Sequence, residues 1–155
     1  MIVKYEDLSK LRTDFKLETI VLCHGCFDLF HIGHLNYIKE SKKHGTILLV
    51  SLTNDKFIKK GNNRPLFNIN DRISIINELK IVDYCCVSDD FTCVNIIKNL
   101  KPNIFCKGID VKGKELIPEN NLFLEHQELK KNNGQIIFVN SKTKITSTQL
   151  LNFYD

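Results

Sequence analysis

The sequence predicts an α/β protein: a Rossmann-like three-layer sandwich built around a five-stranded parallel sheet. Short apolar or β-branched runs alternate along the chain with helical patterns, and polar residues or glycine bound each run. Such alternation favours a parallel sheet that is covered on both faces. No repeat or Pro/Gly-rich linker divides the 155 residues, so we expect one domain over 1–155, with residues 1–18 as an N-terminal helical extension.

The predicted strands are the short apolar runs, and they are Thr19–His24, Thr46–Leu52, Asp83–Val87, Asn103–Cys106 and Gln135–Val139. The predicted helices are amphipathic segments, and they are Tyr5–Leu11, His34–Lys43, Asp71–Lys80, Thr92–Leu100, Asn121–Asn132 and Thr148–Phe153. Asn70 is the expected N-cap of the third helix, and Gly134 follows the fifth. Sheets of this kind bind ligands at the carboxyl ends of their strands.

Composition and charge exclude several classes of function. Hydrophobic residues make up 43% of the chain and charged residues 26%, a globular balance. A net charge of +4 suits a phosphate-bearing ligand but is too small for a nucleic-acid platform. No apolar run approaches the ~20 residues of a membrane span, and Met1–Lys10 has no apolar stretch of a signal peptide. We therefore expect a cytoplasmic protein without nucleic-acid or membrane partners.

The six cysteines are expected to be reduced. Cys23, Cys85, Cys86 and Cys106 lie in apolar runs, where a free thiol behaves as a small hydrophobic side chain. Without a secretory signal, a disulfide framework is not expected.

The segment Gly25-Cys26-Phe27-Asp28-Leu29-Phe30-His31-Ile32-Gly33-His34 is the most informative part of the chain. It leaves the first predicted strand and enters a helix. His31 and His34 are three residues apart, so at a helix start they project on one side. A helix N-terminus presents unpaired N–H groups and a positive dipole end. The segment therefore predicts an anion site with two imidazole donors.

This segment resembles the HxGH signature of the nucleotidyltransferase superfamily, in the GxFDxxHxGH form of its cytidylyltransferase-like branch. That branch includes glycerol-3-phosphate cytidylyltransferase and the adenylyltransferase domain of the bifunctional heptose-phosphate enzyme. Three further segments are similar to family motifs: Asn63-Arg64-Pro65 with Asp71-Arg72, Pro102 to Gly108, and Ile145-Thr146-Ser147-Thr148, which resembles the second signature, ISST.

The resemblance implies transfer of a nucleotidyl group from CTP or ATP to a sugar phosphate or polyol phosphate, for surface polysaccharide precursors. The implied catalytic residues are His31, His34 and Lys60. The implied nucleotide-binding residues are Gly25, Cys26, Phe27, His31, His34, Lys107, Gly108, Asp110, Thr146, Ser147 and Thr148. Asp28 and Arg72 are expected to bind the acceptor, Mg²⁺ to bridge triphosphate oxygens, and the chain to form a homodimer. For Lys59, which precedes Lys60, a phosphate contact and a place in a solvated loop are equally good explanations.

Three alternatives stay open at this stage. Cys23-His24-Gly25-Cys26 is a CxxC, which could serve thiol redox chemistry or, with the two histidines, bind zinc. A flavin mononucleotide adenylyltransferase is possible within the superfamily. A non-catalytic nucleotide-binding module is the third alternative, because the arginine of the fuller ISSTxxR signature is replaced here by Leu151.

The missing arginine leads to a prediction. Lys144, and to a lesser degree Lys142, lie just before the second signature and could supply the lost triphosphate contact as a point charge. A charge-assisted hydrogen bond of roughly 1.5–3 kcal/mol means that Lys144→Ala should weaken triphosphate binding about ten- to a hundredfold. Nucleotide titrations of both single variants and the double variant measure this. Unchanged affinity in all three would show that another group, such as Lys60, balances the charge.

Overall fold

The apolar runs form an all-parallel sheet with the strand order β3-β2-β1-β4-β5. The computed structural model describes residues 1–59, 61 and 64–141. The strands are β1 (Ile20–Gly25), β2 (Ile47–Thr53), β3 (Tyr84–Ser88), β4 (Ile104–Gly108) and β5 (Gln135–Val139). Each starts within a residue of its predicted position, and the predicted bounds of β5 are those observed.

The described residues form five α-helices, of which the first precedes β1 and the other four connect successive strands. They are α1 (Leu8–Asp14), α2 (Ile32–Lys42), α3 (Ile69–Asn77), α4 (Val94–Leu100) and α5 (Asn121–Lys130). Short 3-10 turns cover Tyr5–Asp7, Asp55–Phe57, Ile109–Val111 and Lys114–Leu116. The predicted helix Thr148–Phe153 lies outside the described residues.

The helices cover the two faces of the sheet separately. Because side chains alternate along a strand, Val21 and Cys23 point to one face and Ile20 and Leu22 to the other. The first face packs against Ile38 of α2 and against Ile73 and Ile76 of α3. The second packs against apolar residues of α1, α4 and α5, among which are Leu8, Leu11, Ile96, Ile97, Leu100, Leu122 and Leu129. The predicted α/β three-layer sandwich is confirmed.

Most helix ends differ from prediction by one to three residues, and the differences at α3, α2 and α5 concern their caps. The N-cap of α3 is Asn68, whose side chain accepts from the N–H groups of Asn70 and Asp71, and not Asn70 itself. Helix α2 begins at Ile32 rather than at His34, with His31 as its N-cap. Beyond α5 the left-handed residue is Asn133, with φ 57°.

Gly134 is required after α5 for space rather than for conformation. A Cβ there would lie 2.7 Å from the carbonyl oxygen of Pro102. The Gly134 N–H donates to the carbonyl of Leu129 at 3.1 Å, which closes the helix end.

The sheet order places a crevice at the carboxyl ends of β1 and β4. Strand β1 has β2 on one side and β4 on the other, so the direction of winding reverses between them. Ligands of open α/β sheets bind at this switch point. The described helices include none that is long and apolar enough to cross a membrane.

Candidate active site

The loop after β1 is held in an uncommon backbone conformation. Phe27 and Leu29 both have positive φ, at 52° and 48°, a region that costs a non-glycine residue roughly 1–2 kcal/mol. The Phe27 ring offsets this cost, because it is 4% exposed and packs in the core on the α2 face of the sheet. A Cβ on Gly25 would lie 3.2 Å from that ring. The loop therefore depends on both the aromatic ring and the glycine beneath it.

Asp28 fastens this loop to a distant segment. Its carboxylate accepts from the backbone N–H groups of Leu66 and Phe67 and from Arg64 Nε at 2.7 Å. Burial raises the pKa of this carboxyl, but the two N–H groups and Arg64 outweigh burial and hold the pKa below its ordinary value. The side chains of Asp28 and Arg64 are 1% and 6% exposed. The Asp28 carboxylate thus holds the loop in place, and its expected contact with the acceptor stays a prediction.

Arg72 is also part of the framework. Its side chain is fully buried and donates to the carbonyls of Phe67, Cys26 and Thr53 and to the carboxylate of Asp55. These bonds engage the guanidinium on every nitrogen. Its donors hold the signature loop against β2, and the expected contact of Arg72 with the acceptor phosphate stays a prediction.

His31 and His34 lie together at the start of α2. The Nδ1 atom of His31 accepts from the Gly33 N–H at 3.0 Å, which places the proton of the neutral ring on Nε2. Burial lowers the pKa of His31, so the ring is neutral at neutral pH. The two imidazoles stack with their centroids 4.0 Å apart, and Phe27 packs edge-on against His34 at 5.4 Å. The pair is thus oriented before any ligand arrives.

Helix α2 is itself bonded across the switch point. The hydroxyl of Tyr37 donates to the carbonyl of Cys106 on β4 at 2.7 Å, and Asn36 Nδ2 donates to the carbonyl of Ser141 at 3.0 Å. The histidines therefore sit on an element that is fixed to the strands on the other side of β1.

Lys107 enters the crevice from the end of β4. Its ammonium group pairs with Glu125 of α5 at 3.2 Å and lies 4.6 Å from the centroid of Phe105. The other carboxylate oxygen of Glu125 accepts from the backbone N–H of Cys93, the N-cap of α4, at 2.8 Å. Glu125 is 3% exposed, so one buried carboxylate positions both the lysine and the start of a helix.

Gly108 leaves room for a carboxylate. A Cβ at Gly108 would lie 2.3 Å from Oδ1 of Asp110, so the space beside this glycine is taken by the Asp110 side chain. The structure thus places an acidic group at the edge of that space.

These groups line one open cleft of about 610 Å³. Its wall includes all eight predicted nucleotide-binding residues within the described chain, namely Gly25, Cys26, Phe27, His31, His34, Lys107, Gly108 and Asp110. Lys60, Lys142, Lys144, Thr146, Ser147, Thr148 and Leu151 lie outside the described residues, and their roles stay predictions.

The redox and zinc alternatives find little support in the geometry. Cys23 is fully buried, and burial raises the pKa of its thiol to about 12, so it is not a reactive thiolate. All six cysteines are free. Among the described residues, no three metal-binding side chains converge as a zinc site requires.

Sequence reasoning missed several residues of the cleft, among them Phe91, Lys114, Asn120, Asn121 and Glu125. They lie in a loop, a 3-10 turn and a helix that only the fold brings to the switch point. No motif marks them; the one usable signal is that Glu125 is a carboxylate in a helix whose neighbouring apolar residues are buried.

The comparisons with known proteins agree with this geometry. A family model described as cytidylyltransferase-like matches residues 22–152. The chain is 42% identical over 109 residues to the bifunctional protein HldE of Campylobacter fetus, covering 69% of this chain and 24% of that protein. It is 40% identical over 112 residues to HldE of Helicobacter pylori strain P12, covering 71% and 24%. The chain thus spans about a quarter of the length of these relatives.

Two solved structures share the fold. The lipopolysaccharide core biosynthesis protein of Thermoplasma volcanium superposes with a TM-score of 0.63 at 30% identity, covering 79% of this chain and 95% of that one. The pantoate-beta-alanine ligase of Francisella tularensis also gives 0.63, at 17% identity over 96% of this chain and 69% of that one. At 17% identity, the similarity to the ligase supports a shared fold alone.

His24, at the rim of the cleft, yields a prediction about stability. Burial, with a contribution from Lys107, lowers the pKa of His24 to about 3, while its ring nitrogens lie 3.2 Å from Ser51 Oγ and 3.4 Å from Thr53 Oγ1. Between pH 6.5 and about 3 the unfolded chain binds a proton here that the folded chain does not. The free energy of unfolding should therefore fall as the pH falls through this window.

The measurement is urea unfolding of the parent and of His24→Gln at pH 7 and pH 5. Relative to the parent, the variant should lose about 1–2 kcal/mol less on acidification. His44→Gln, at an exposed histidine, is the matched control and should leave the parent's pH dependence in place. Equal pH dependence in the parent and His24→Gln would contradict the assignment of a neutral, buried His24.

Proposed function

The chain belongs to the cytidylyltransferase-like family, and from that premise we propose that it transfers a nucleotidyl group from CTP or ATP to a phosphorylated sugar or polyol. Membership of the family confirms both the resemblance found in the sequence and the nucleotidyltransferase class. The choice of nucleotide and acceptor belongs to the proposal. So does a role in surface polysaccharide precursors, which the similarity to the lipopolysaccharide core biosynthesis protein of Thermoplasma volcanium supports.

The observation that carries the proposal is the preset pair of imidazoles at a helix N-terminus in the cleft. His31 cannot turn, because its Nδ1 is bonded to Gly33, and its Nε2–H is the donor that remains. Donors fixed in advance stabilise charge that develops on phosphoryl oxygens without reorganising during the reaction. Stacked on His34 and in the same cleft as Lys107, this donor suits the α-phosphate of a bound triphosphate.

In the proposed reaction, an oxygen of the acceptor phosphate attacks the α-phosphorus in line. The new bond joins that oxygen to the α-phosphorus, and the bond to the β-phosphate oxygen breaks as pyrophosphate leaves. A phosphate monoester is already anionic near neutral pH, so the chain need not supply a strong base. Positioning and neutralisation of charge then provide the catalysis.

The residues of the cleft suit Mg²⁺ held mainly by the substrate. Magnesium usually keeps several waters and binds through one or two carboxylates together with substrate phosphates. Among the described cleft residues, Glu125 is paired with Lys107, which leaves Asp110 as the carboxylate able to assist. When bound, the ion would neutralise charge on the triphosphate.

A pyrophosphate-release screen tests the function. The chain is incubated with CTP, ATP, GTP or UTP and with glycerol 3-phosphate, hexose 1-phosphates or flavin mononucleotide. Release that depends on one nucleotide together with a sugar or polyol phosphate supports the proposal. Release only with ATP and flavin mononucleotide would assign the flavin alternative, and nucleotide binding without release would assign a non-catalytic module.

His34→Ala should lower turnover by roughly 10²–10³ without loss of fold, because it removes one preset group facing the phosphates. Thermal melting of the variant shows whether the fold is kept, and steady-state pyrophosphate release measures the turnover. His44→Ala, an exposed histidine beyond the end of α2, is the control and should keep parental turnover. A His34→Ala variant with near-parental turnover would remove His34 from the catalytic machinery.

A further inference from the structure

The charged side chains that line the described part of the cleft balance one another. They are two ammonium groups, Lys107 and Lys114, and two carboxylates, Asp110 and Glu125. The ring of His31 adds no charge, because burial lowers its pKa. A nucleoside triphosphate carries several negative charges, and a cleft without a surplus of positive charge attracts it weakly. Binding therefore depends on which ammonium group has charge available for the ligand.

The charge of Lys107 is already balanced inside the protein. Its ammonium group pairs with Glu125 at 3.2 Å and lies 4.6 Å from the centroid of Phe105. The side chains of the pair are 16% and 4% exposed. A buried carboxylate that loses its partner is strongly destabilising, so this pair resists separation. Lys107 can donate to a ligand through its other N–H groups, but it brings no surplus charge.

Lys114 is the cleft lysine whose charge is left over. It is exposed, and among the described residues it has no carboxylate within ion-pair distance. The two carboxylates nearest to it in sequence are directed elsewhere. Oε2 of Glu115 accepts from the Gly113 N–H at 2.7 Å, and Oδ1 of Asp110 lies where a Cβ of Gly108 would stand. Its neighbours thus leave the Lys114 ammonium group available to a ligand.

The backbone that carries Lys114 is anchored. The 3-10 turn Lys114–Leu116 is closed by the Leu116 N–H, which donates to the Gly113 carbonyl at 3.2 Å. Gly113 has a φ of 94°, which glycine adopts without the cost that a Cβ would bring. The turn packs against α5, the helix that carries Glu125. A fixed turn therefore presents a flexible ammonium group to the cleft.

We propose that Lys114 is a phosphate-binding residue of the nucleotide site. It would supply positive charge that the family's second signature places on an arginine and that this chain lacks at Leu151. The inference rests on the proposed function and deepens it, because it assigns a triphosphate contact to a residue that no motif marks. An ammonium group binds a phosphate as a point charge and forms a charge-assisted hydrogen bond with it.

The position of Lys114 in the chain favours the nucleotide over the acceptor as its ligand. Lys114 lies in the segment after β4 that also carries Gly108 and Asp110, both implied nucleotide contacts. The turn packs on the same helix whose Glu125 pairs with Lys107, a third implied nucleotide contact. The phosphate that Lys114 meets is therefore assigned to the triphosphate.

The assignment is compatible with the sequence prediction for Lys144, which lies outside the described residues. A lysine offers a phosphate one charge on a single nitrogen, whereas an arginine offers a fork of donors. Two lysines contacting different phosphate oxygens would each weaken binding when removed, so the two predictions are tested separately.

Calorimetric titration of the unaltered chain, Lys114→Met and Lys112→Met tests the contact. The ligands are CTP, ATP, the matching nucleosides and, as probes of an acceptor phosphate, glycerol 3-phosphate and mannose 1-phosphate. Lys112 is the matched control, because it lies in the same loop, is exposed, does not line the cleft and carries the same charge. Urea unfolding first establishes that both variants keep parental stability.

Lys114→Met should weaken binding of the triphosphate that the parent prefers about tenfold, as loss of a charged hydrogen bond does. Binding of the nucleosides and of the two acceptor probes should not change. Lys112→Met should bind all ligands as the parent does. Lys114→Arg should keep parental affinity for the triphosphate, since it restores a cation at the same position.

Four results would overturn the assignment. They are parental triphosphate affinity in Lys114→Met, an equal loss in Lys112→Met, a loss confined to the acceptor probes, and a parent chain that binds neither triphosphate. An equal loss in both variants would trace the effect to the general field of the loop. Failure of the proposed function is read separately, from pyrophosphate release by the unaltered chain. Triphosphate binding that depends on Lys114 without release would keep the contact and remove the reaction.

Discussion

The ion pair between Asp28 and Arg64 is the contact on which the cleft depends. Asp28 lies between Phe27 and Leu29, which both have positive φ. Its carboxylate joins this strained turn to the segment before α3. A buried charge that loses its partner typically costs about 3–5 kcal/mol, so neither residue can change alone. From this pair the framework extends through Arg72 to the carbonyls of Cys26 and Thr53. Asp28, Arg64 and Arg72 thus hold the loop in the conformation that positions the two imidazoles.

The charged residues that hold the framework differ from those that line the cleft, and this difference determines the electrostatics of the cleft. Charges that serve the framework are paired: Asp28 and Arg64 are both buried, and buried Arg72 pairs with Asp55, whose side chain is 34% exposed. The groups that line the cleft include the neutral imidazole of His31, the ammonium groups of Lys107 and Lys114, and the carboxylates of Asp110 and of Glu125, which pairs with Lys107. Because the low-dielectric interior strengthens interactions with a fixed dipole, a neutral but oriented His31 can still act on a phosphate. A modest net charge of +4 is therefore compatible with a focused anion site.

Local pattern was enough to predict the sheet and its layers, since burial on two faces leaves apolar runs that show in the sequence. The residues at the ends of β1 and β4 were implied by the resemblance to family motifs, and the structure brings them together in one cleft. Arg72 could not be assigned in this way: its partner Cys26 is 46 positions away, and only the folded chain shows that its donors are engaged. Glu125 illustrates the same limit, since its two contacts lie on β4 and at the start of α4.

The distribution of the cysteines has a practical consequence for chemical modification. Five of the six sulfur atoms belong to residues with no exposed surface, whereas Cys26 is half-buried in the wall of the cleft. An alkylating reagent applied to the native chain thus meets one sulfhydryl, and that sulfhydryl borders the bound ligand's space. The rate of its alkylation, followed by mass spectrometry, offers a label-free gauge of occupancy that needs neither turnover nor an engineered residue.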